Sequence, residues 1–110
     1  MEISTQDFKR VAVMSVTGRV DSATAPELES QLRALVDGGK THIVLDLKNV
    51  EYMSSAGLRA MVSTLKLVKR GNGDLRLANP SARVEEVLHL AGLTSIFTMF
   101  PTQEAAVGSF

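Results

Sequence analysis

Residues 42–58 read HIVLDLKNVEYMSSAGL, and the two ends of that stretch decide the fold. His42 to Leu47 (HIVLDL) is a short, nearly continuous apolar run, the pattern of a central strand covered on both faces. After Ser54 and Ser55, apolar residues recur at Leu58, Met61, Val62, Leu65 and Val68, which is helical spacing, while Arg59, Ser63, Lys66 and Arg70 fall on another face. Gly71-Asn72-Gly73 terminates that helix.

The alternation of strand and helix continues on both sides. Toward the N-terminus, Val11 to Val16 (VAVMSV) is β-rich and follows a run from Glu2 to Phe8 across Lys9-Arg10, which predicts an opening hairpin closed by Gly18. Thr24 stands three residues before Glu27, a capping-box spacing, with Pro26 in the first turn. Leu28, Leu32, Leu35 and Val36 then form one apolar stripe, stopped near Asp37 by Gly38-Gly39.

Toward the C-terminus, Asp74 to Ala78 predicts a strand and Asn79-Pro80 an N-cap and first-turn pair. Val84, Val87, Leu88 and Ala91 make a third stripe ended by Gly92. Ile96 to Phe100 predicts a last strand, Thr102 to Val107 a short last helix, and Gly108 to Phe110 a frayed end. The expected architecture is α/β in the order ββαβαβαβα, one domain over residues 1–110. Its mixed sheet is largely parallel, with helices packed on it and the hairpin as an antiparallel edge.

Composition narrows the function. The chain has 110 residues, 45% of them hydrophobic, enough for a core without staples. Twelve basic residues balance twelve acidic ones, so no global field attracts a polyanion and no nucleic-acid partner is expected. The absence of cysteine removes disulfides, thiolate metal sites and thiol catalysis together. The N-terminal MEISTQDFKR lacks the features of a secretory signal, and no run approaches the roughly 20 apolar residues that span a bilayer. A cytoplasmic protein without membrane attachment is the expectation.

Motifs of enzyme chemistry fail on context. Gly39-Lys40-Thr41 follows a helix rather than a strand, and Ala34 stands where a phosphate-binding loop needs glycine. Gly71-Asn72-Gly73 lacks the third glycine of a dinucleotide fingerprint, since position 76 is Arg. His42 and His89, without cysteine, do not make a metal site, and neither metal nor cofactor is expected. Ser55 lacks the leading glycine of a nucleophile elbow, position 53 being Met, so no catalytic residue is assigned.

Tyr52 to Leu58 (YMSSAGL) is the informative segment, because its two hydroxyls lie where a central strand turns into a helix. One of the two serines is expected to cap that helix. Gly57 in the first turn costs about 0.5–1 kcal/mol relative to alanine, which points to a close approach of another backbone or of a partner.

Three stretches together resemble the STAS family: GRVDSATAPEL at Gly18–Leu28, SSAGL at Ser54–Leu58 after the apolar strand, and ANP at Ala78–Pro80 with AGL at Ala91–Leu93. The likeness covers nearly the whole chain and is greatest to stand-alone bacterial anti-sigma-factor antagonists. It implies a non-enzymatic, cofactor-free module, a monomer or weak dimer, that binds an anti-sigma factor and so releases a sigma factor.

The same resemblance makes the anti-sigma factor a serine kinase that phosphorylates Ser55 and switches binding off, with a phosphatase to reverse it. Ser54 stands where the family usually has aspartate, and Ala56 where it has a second hydroxyl. Asp21 matches an acidic residue beside the phosphosite. The residues implied to meet the partner are Asp21, Ser22, Ser54, Ala56, Gly57 and Leu58, with Arg59, Ser63 and Lys66 extending the surface along the helix. The missing aspartate motivates an alternative, a phosphorylation-independent subunit of a signalling or lipid-transport assembly.

Overall fold

A computed structural model describes all 110 residues. The chain forms β1 (Glu2–Phe8), β2 (Val11–Val20), α1 (Ala25–Asp37), β3 (His42–Met53), α2 (Ser55–Arg70), β4 (Asp74–Ala78), α3 (Ala82–Leu90), β5 (Met99–Phe100) and α4 (Gln103–Gly108). This is the expected order. The strands lie in one sheet in chain order, β1-β2-β3-β4-β5, with β1 antiparallel to β2 and every later pair parallel.

The apolar run of β3 is explained by what covers it. Ile43, Leu45 and Leu47 enter the larger core with Leu28 and Leu32 of α1 and Met61 and Leu65 of α2, while Val44 points the other way. There it joins Val11, Val13, Ala78 and Ala106 of α4 in a smaller core. Successive strand side chains alternate between faces, so a strand with apolar layers on both sides reads as a nearly continuous apolar run. Asp46 is the exception: it is half-buried, and its carboxylate accepts from the side-chain amides of Gln103 at 2.9 Å and Asn79 at 3.4 Å.

Several element ends differ from expectation. Gly18 does not close the hairpin: at φ +98° it sits inside β2, beside a shift in the β2–β3 register, and the strand runs on to Val20. β3 extends six residues past Leu47 because Asn49 to Met53 continue to pair with the end of β2. Thr24 makes no side-chain cap to α1; its Oγ1 instead accepts the Asp21 N–H at 2.9 Å. Ser81, not Asn79, caps α3, accepting the Val84 N–H at 3.3 Å. Only Met99 and Phe100 pair with β4, so β5 is shorter than expected and Ile96 lies in the preceding turn, exposed.

The C-terminus is anchored rather than frayed. Phe110 stacks on His42 with ring centroids 4.8 Å apart, and the Arg76 guanidinium lies 4.1 Å from the Phe110 ring centroid. Arg76 also donates to the carbonyl oxygen of Ser109 at 2.7 Å. Phe110→Ala is therefore expected to lower stability by about 1–2 kcal/mol, from lost stacking and cation–π contact, in urea unfolding.

Candidate functional site

The site begins where two parallel strands end together. Val20 pairs with Met53, and the Ser54 N–H donates to the Val20 carbonyl at 2.8 Å as the last rung. Both chains then leave the sheet side by side, one into the Asp21–Thr24 loop and the other into α2. The carboxyl ends of parallel strands are where such folds present binding loops.

The two serines divide the labour. Ser54 is the N-cap, with extended backbone, and its Oγ accepts the Gly57 N–H at 3.3 Å. Ser55, the first helical residue, is exposed, and its hydroxyl makes no hydrogen bond within the protein. One oxygen is thus consumed by local structure and the other is offered to solvent.

Gly57, expected at the partner-facing surface, faces inward instead. It is buried, and a Cβ there would collide with the Met53 sulfur and come within 2.7 Å of Val20 Cγ1. The close approach that this glycine permits is to Met53 and Val20 of the protein's own core. Ala56 and Ser54 are half-buried, and Leu58 is 7% exposed.

Asp21 holds its loop together. Its Oδ1 accepts from the Ala23 N–H at 3.0 Å and the Thr24 N–H at 3.1 Å, and lies 3.2 Å from Thr24 Oγ1. These bonds, the Thr24 backbone one first, lower its pKa below the ordinary 3.8, with Arg19 adding a smaller pull. A carboxyl whose pKa is lower in the folded than the unfolded state stabilises the loop above the ordinary value and loses that contribution as pH falls through the lowered one. In an NMR acid titration the Ala23 and Thr24 amide resonances are accordingly expected to move with a midpoint below 3.8. In Asp21→Ala they should lose that step. Ser22, beside Asp21, is exposed.

From Ser55 an open groove of about 790 Å³ runs along α2, lined also by Leu58, Arg59, Ser63 and Lys66. The structure thus brings five of the site residues expected from sequence onto one surface; Asp21, Ser22, Ser54, Ala56 and Gly57 do not line this groove. Sequence inspection missed its other wall, Glu29 and Arg33 of α1 with Ala91 and Leu93 beyond α3. The α2 half was discoverable, since positions 55, 59, 62, 63, 66 and 70 form one helical stripe; the other half depends on how α1 and the α3 exit pack. No three His, Cys, Asp or Glu side chains gather as metal ligands, and no helix is long and apolar enough to cross a membrane.

These features define a small α/β module that displays a free alcohol beside a helical groove. Comparison with known proteins gives the class. The STAS domain model matches residues 2–106. The Bordetella bronchiseptica protein BtrV is 36% identical over 110 residues, which is 100% of this chain and 95% of that one. The anti-sigma-B factor antagonist of Bacillus subtilis is 34% identical over 94 residues, 86% of this chain and 85% of its own. A crystal structure of an anti-sigma factor antagonist from Mycobacterium paratuberculosis matches with TM-score 0.89 at 30% identity, covering 98% of this chain and 92% of that one. The chain belongs to the STAS domain family.

Proposed function

We propose that this protein is an anti-sigma-factor antagonist of the bacterial cytoplasm, a regulatory binding module that docks an anti-sigma factor and is switched off by phosphorylation of Ser55. The observation that carries the proposal is the Ser55 hydroxyl, exposed and unbonded at the first position of α2. The Bacillus subtilis relative, an anti-sigma-B factor antagonist by name, supports the regulatory part.

The switch needs no unfolding. Free N–H groups and the helix dipole at the start of α2 stabilise negative charge, so a phosphate is tolerated there by the fold itself. What it changes is the surface: about 1.5 to 2 negative charges appear where a small hydroxyl stood. If desolvation and repulsion of that charge cost the complex about 3 kcal/mol, affinity falls on the order of a hundredfold, enough to exchange partners by occupancy alone.

The departures from the family pattern fit this mechanism. Serine and aspartate are comparable N-caps, and Ser54 makes the bond to Gly57 that an aspartate would make. The reason for favouring a phosphorylation-independent subunit of a larger assembly weakens accordingly. Ala56 carries no hydroxyl, which leaves Ser55 as the exposed acceptor of the turn. Gly39 to Thr41 is a turn after α1 and not a nucleotide loop, which supports a phosphoryl donor held by a second protein, in this proposal the anti-sigma factor itself.

Incubation with the cognate anti-sigma factor and ATP, followed by phosphosite mapping by mass spectrometry, is expected to find one phosphate, on Ser55, and none on Ser55→Ala. Phosphate solely at other residues would overturn the switch.

A further inference from the structure

The groove beside Ser55 carries a charge pattern that the switch does not use. Arg33, Arg59, Lys66 and Arg70 line it against one carboxylate, Glu29. None of the four cations is in an ion pair; the molecule's salt bridges are made by Lys40, Lys69 and Arg76. A chain of zero formal charge has thus gathered a local excess of three positive charges along one groove.

The floor between them is apolar: Leu58, Val62, Leu67 and Leu93. Leu90, 76% exposed at the end of α3, directly precedes Ala91 on the groove's rim. Along α2, Arg59, Val62, Lys66, Leu67 and Arg70 follow one another at steps of three, four, one and three, a single stripe about 16 Å long from Arg59 to Arg70. A ligand matching it presents separated negative charges flanking an apolar line over three turns of helix. A small anion cannot reach them all. A nucleic-acid strand would find no aromatic ring in the groove on which to stack a base.

From this geometry we infer that the groove receives an acidic-faced amphipathic helix, its apolar edge on Val62 and Leu67 and its carboxylates on the four cations. The owner of that helix is the anti-sigma factor, which rests on the function proposed above. Ser55 shares the stripe with Arg59, one turn away, so a phosphate on Ser55 takes Arg59 from the incoming carboxylates and removes most of the local positive excess. Phosphorylation then acts by substitution: the protein's own anion occupies the partner's place.

The test uses the full chain and two synthetic 16-residue helical peptides with leucines along one edge, flanked by glutamates in one and by lysines in the other. In NMR titrations the glutamate peptide is expected to shift amides of Arg33, Val62, Leu67 and Leu93 and to bind several-fold more weakly as salt rises, while the lysine peptide leaves those amides unshifted. Arg59→Glu/Lys66→Glu should weaken the glutamate peptide, and the purified anti-sigma factor, roughly thirtyfold. Arg83→Glu, on α3 outside the groove, should change neither.

Equal binding of both peptides, or shifts away from the groove, would overturn the inference. So would groove-dependent binding of a dT15 oligonucleotide or of phosphatidylglycerol vesicles without peptide binding, or self-association of the chain through these residues. Wild-type protein that fails to bind the anti-sigma factor overturns the functional proposal and the helix's ownership with it. Wild-type binding left undiminished in Arg59→Glu/Lys66→Glu overturns this inference alone.

Discussion

Gly73→Ala is expected to cost about 3 kcal/mol and to lower the thermal midpoint by roughly 10 to 15 °C, near the upper end of what overpacking produces. An added Cβ would overlap the Thr41 carbonyl oxygen and stand 2.7 Å from Thr41 Cβ. That oxygen has nowhere to go, because it accepts the Asp74 N–H at 2.9 Å at the start of the β3–β4 pairing. Gly73 is equally fixed, its own N–H donating to Val68 at 2.8 Å. Gly71→Ala is the internal comparison: its Cβ would meet the Thr41 methyl group at 3.2 Å and the Val68 carbonyl oxygen at an ordinary 3.7 Å, so its effect should stay within about 1 kcal/mol. Parallel heat and urea melts check the pair. Gly73 lies past the far end of α2, some 24 Å of helix from Ser55, so the folded fraction should bind its partner normally.

The second large effect separates binding from folding. Ser55→Glu is expected to weaken the complex with the anti-sigma factor on the order of a hundredfold, while Ser55→Ala stays within a few-fold of wild type. Glutamate brings one charge where phosphate brings nearly two, but both place it at the mouth of a groove beside Arg59. The stability of Ser55→Glu should move the opposite way, up by about 0.3–1 kcal/mol, since an acidic residue in the first turn of α2 complements the helix dipole and no acidic residue is there now. Titration calorimetry against the anti-sigma factor, with melting curves alongside, reads both signs. Undiminished affinity in Ser55→Glu would refute the switch; lost affinity with lowered stability would show that the substitution merely damages the fold.

Element order was readable throughout, because each helix and strand carries its own periodicity and its own punctuation. The ends were read less well wherever a distant contact decides them. Residues 48 to 53 look like a polar connection, yet Val50 and Met53 are buried and the segment pairs with β2, a fact fixed by a neighbour thirty residues earlier. Asn79 and Ser81 are both good caps in sequence; the choice falls to Ser81, whose hydroxyl also donates to the Val50 carbonyl at 3.2 Å. Phe110 looks free until Arg76 and His42 are seen beside it.

The same divide runs through the site. The strand-to-helix turn and its pair of hydroxyls are local and were visible. Which of the two is spent on capping was not, because it depends on rotating the side chain toward Gly57. The role of Gly57 is open in the sequence between internal packing and a partner, since absence of a side chain looks the same in either setting, and the positions of Met53 and Val20 show the internal contact. Arg33 and Leu93, sixty residues apart, give no sequence signal that they share a wall with Ser55.

Strand order that follows chain order has a bearing on synthesis. No strand of this sheet must be inserted between two others already in place, so as the polypeptide leaves the ribosome each new segment finds its pairing edge waiting. The Ser54–Ser55 turn, lodged between the third strand and its helix, can therefore be assembled while the last third of the protein is still being translated.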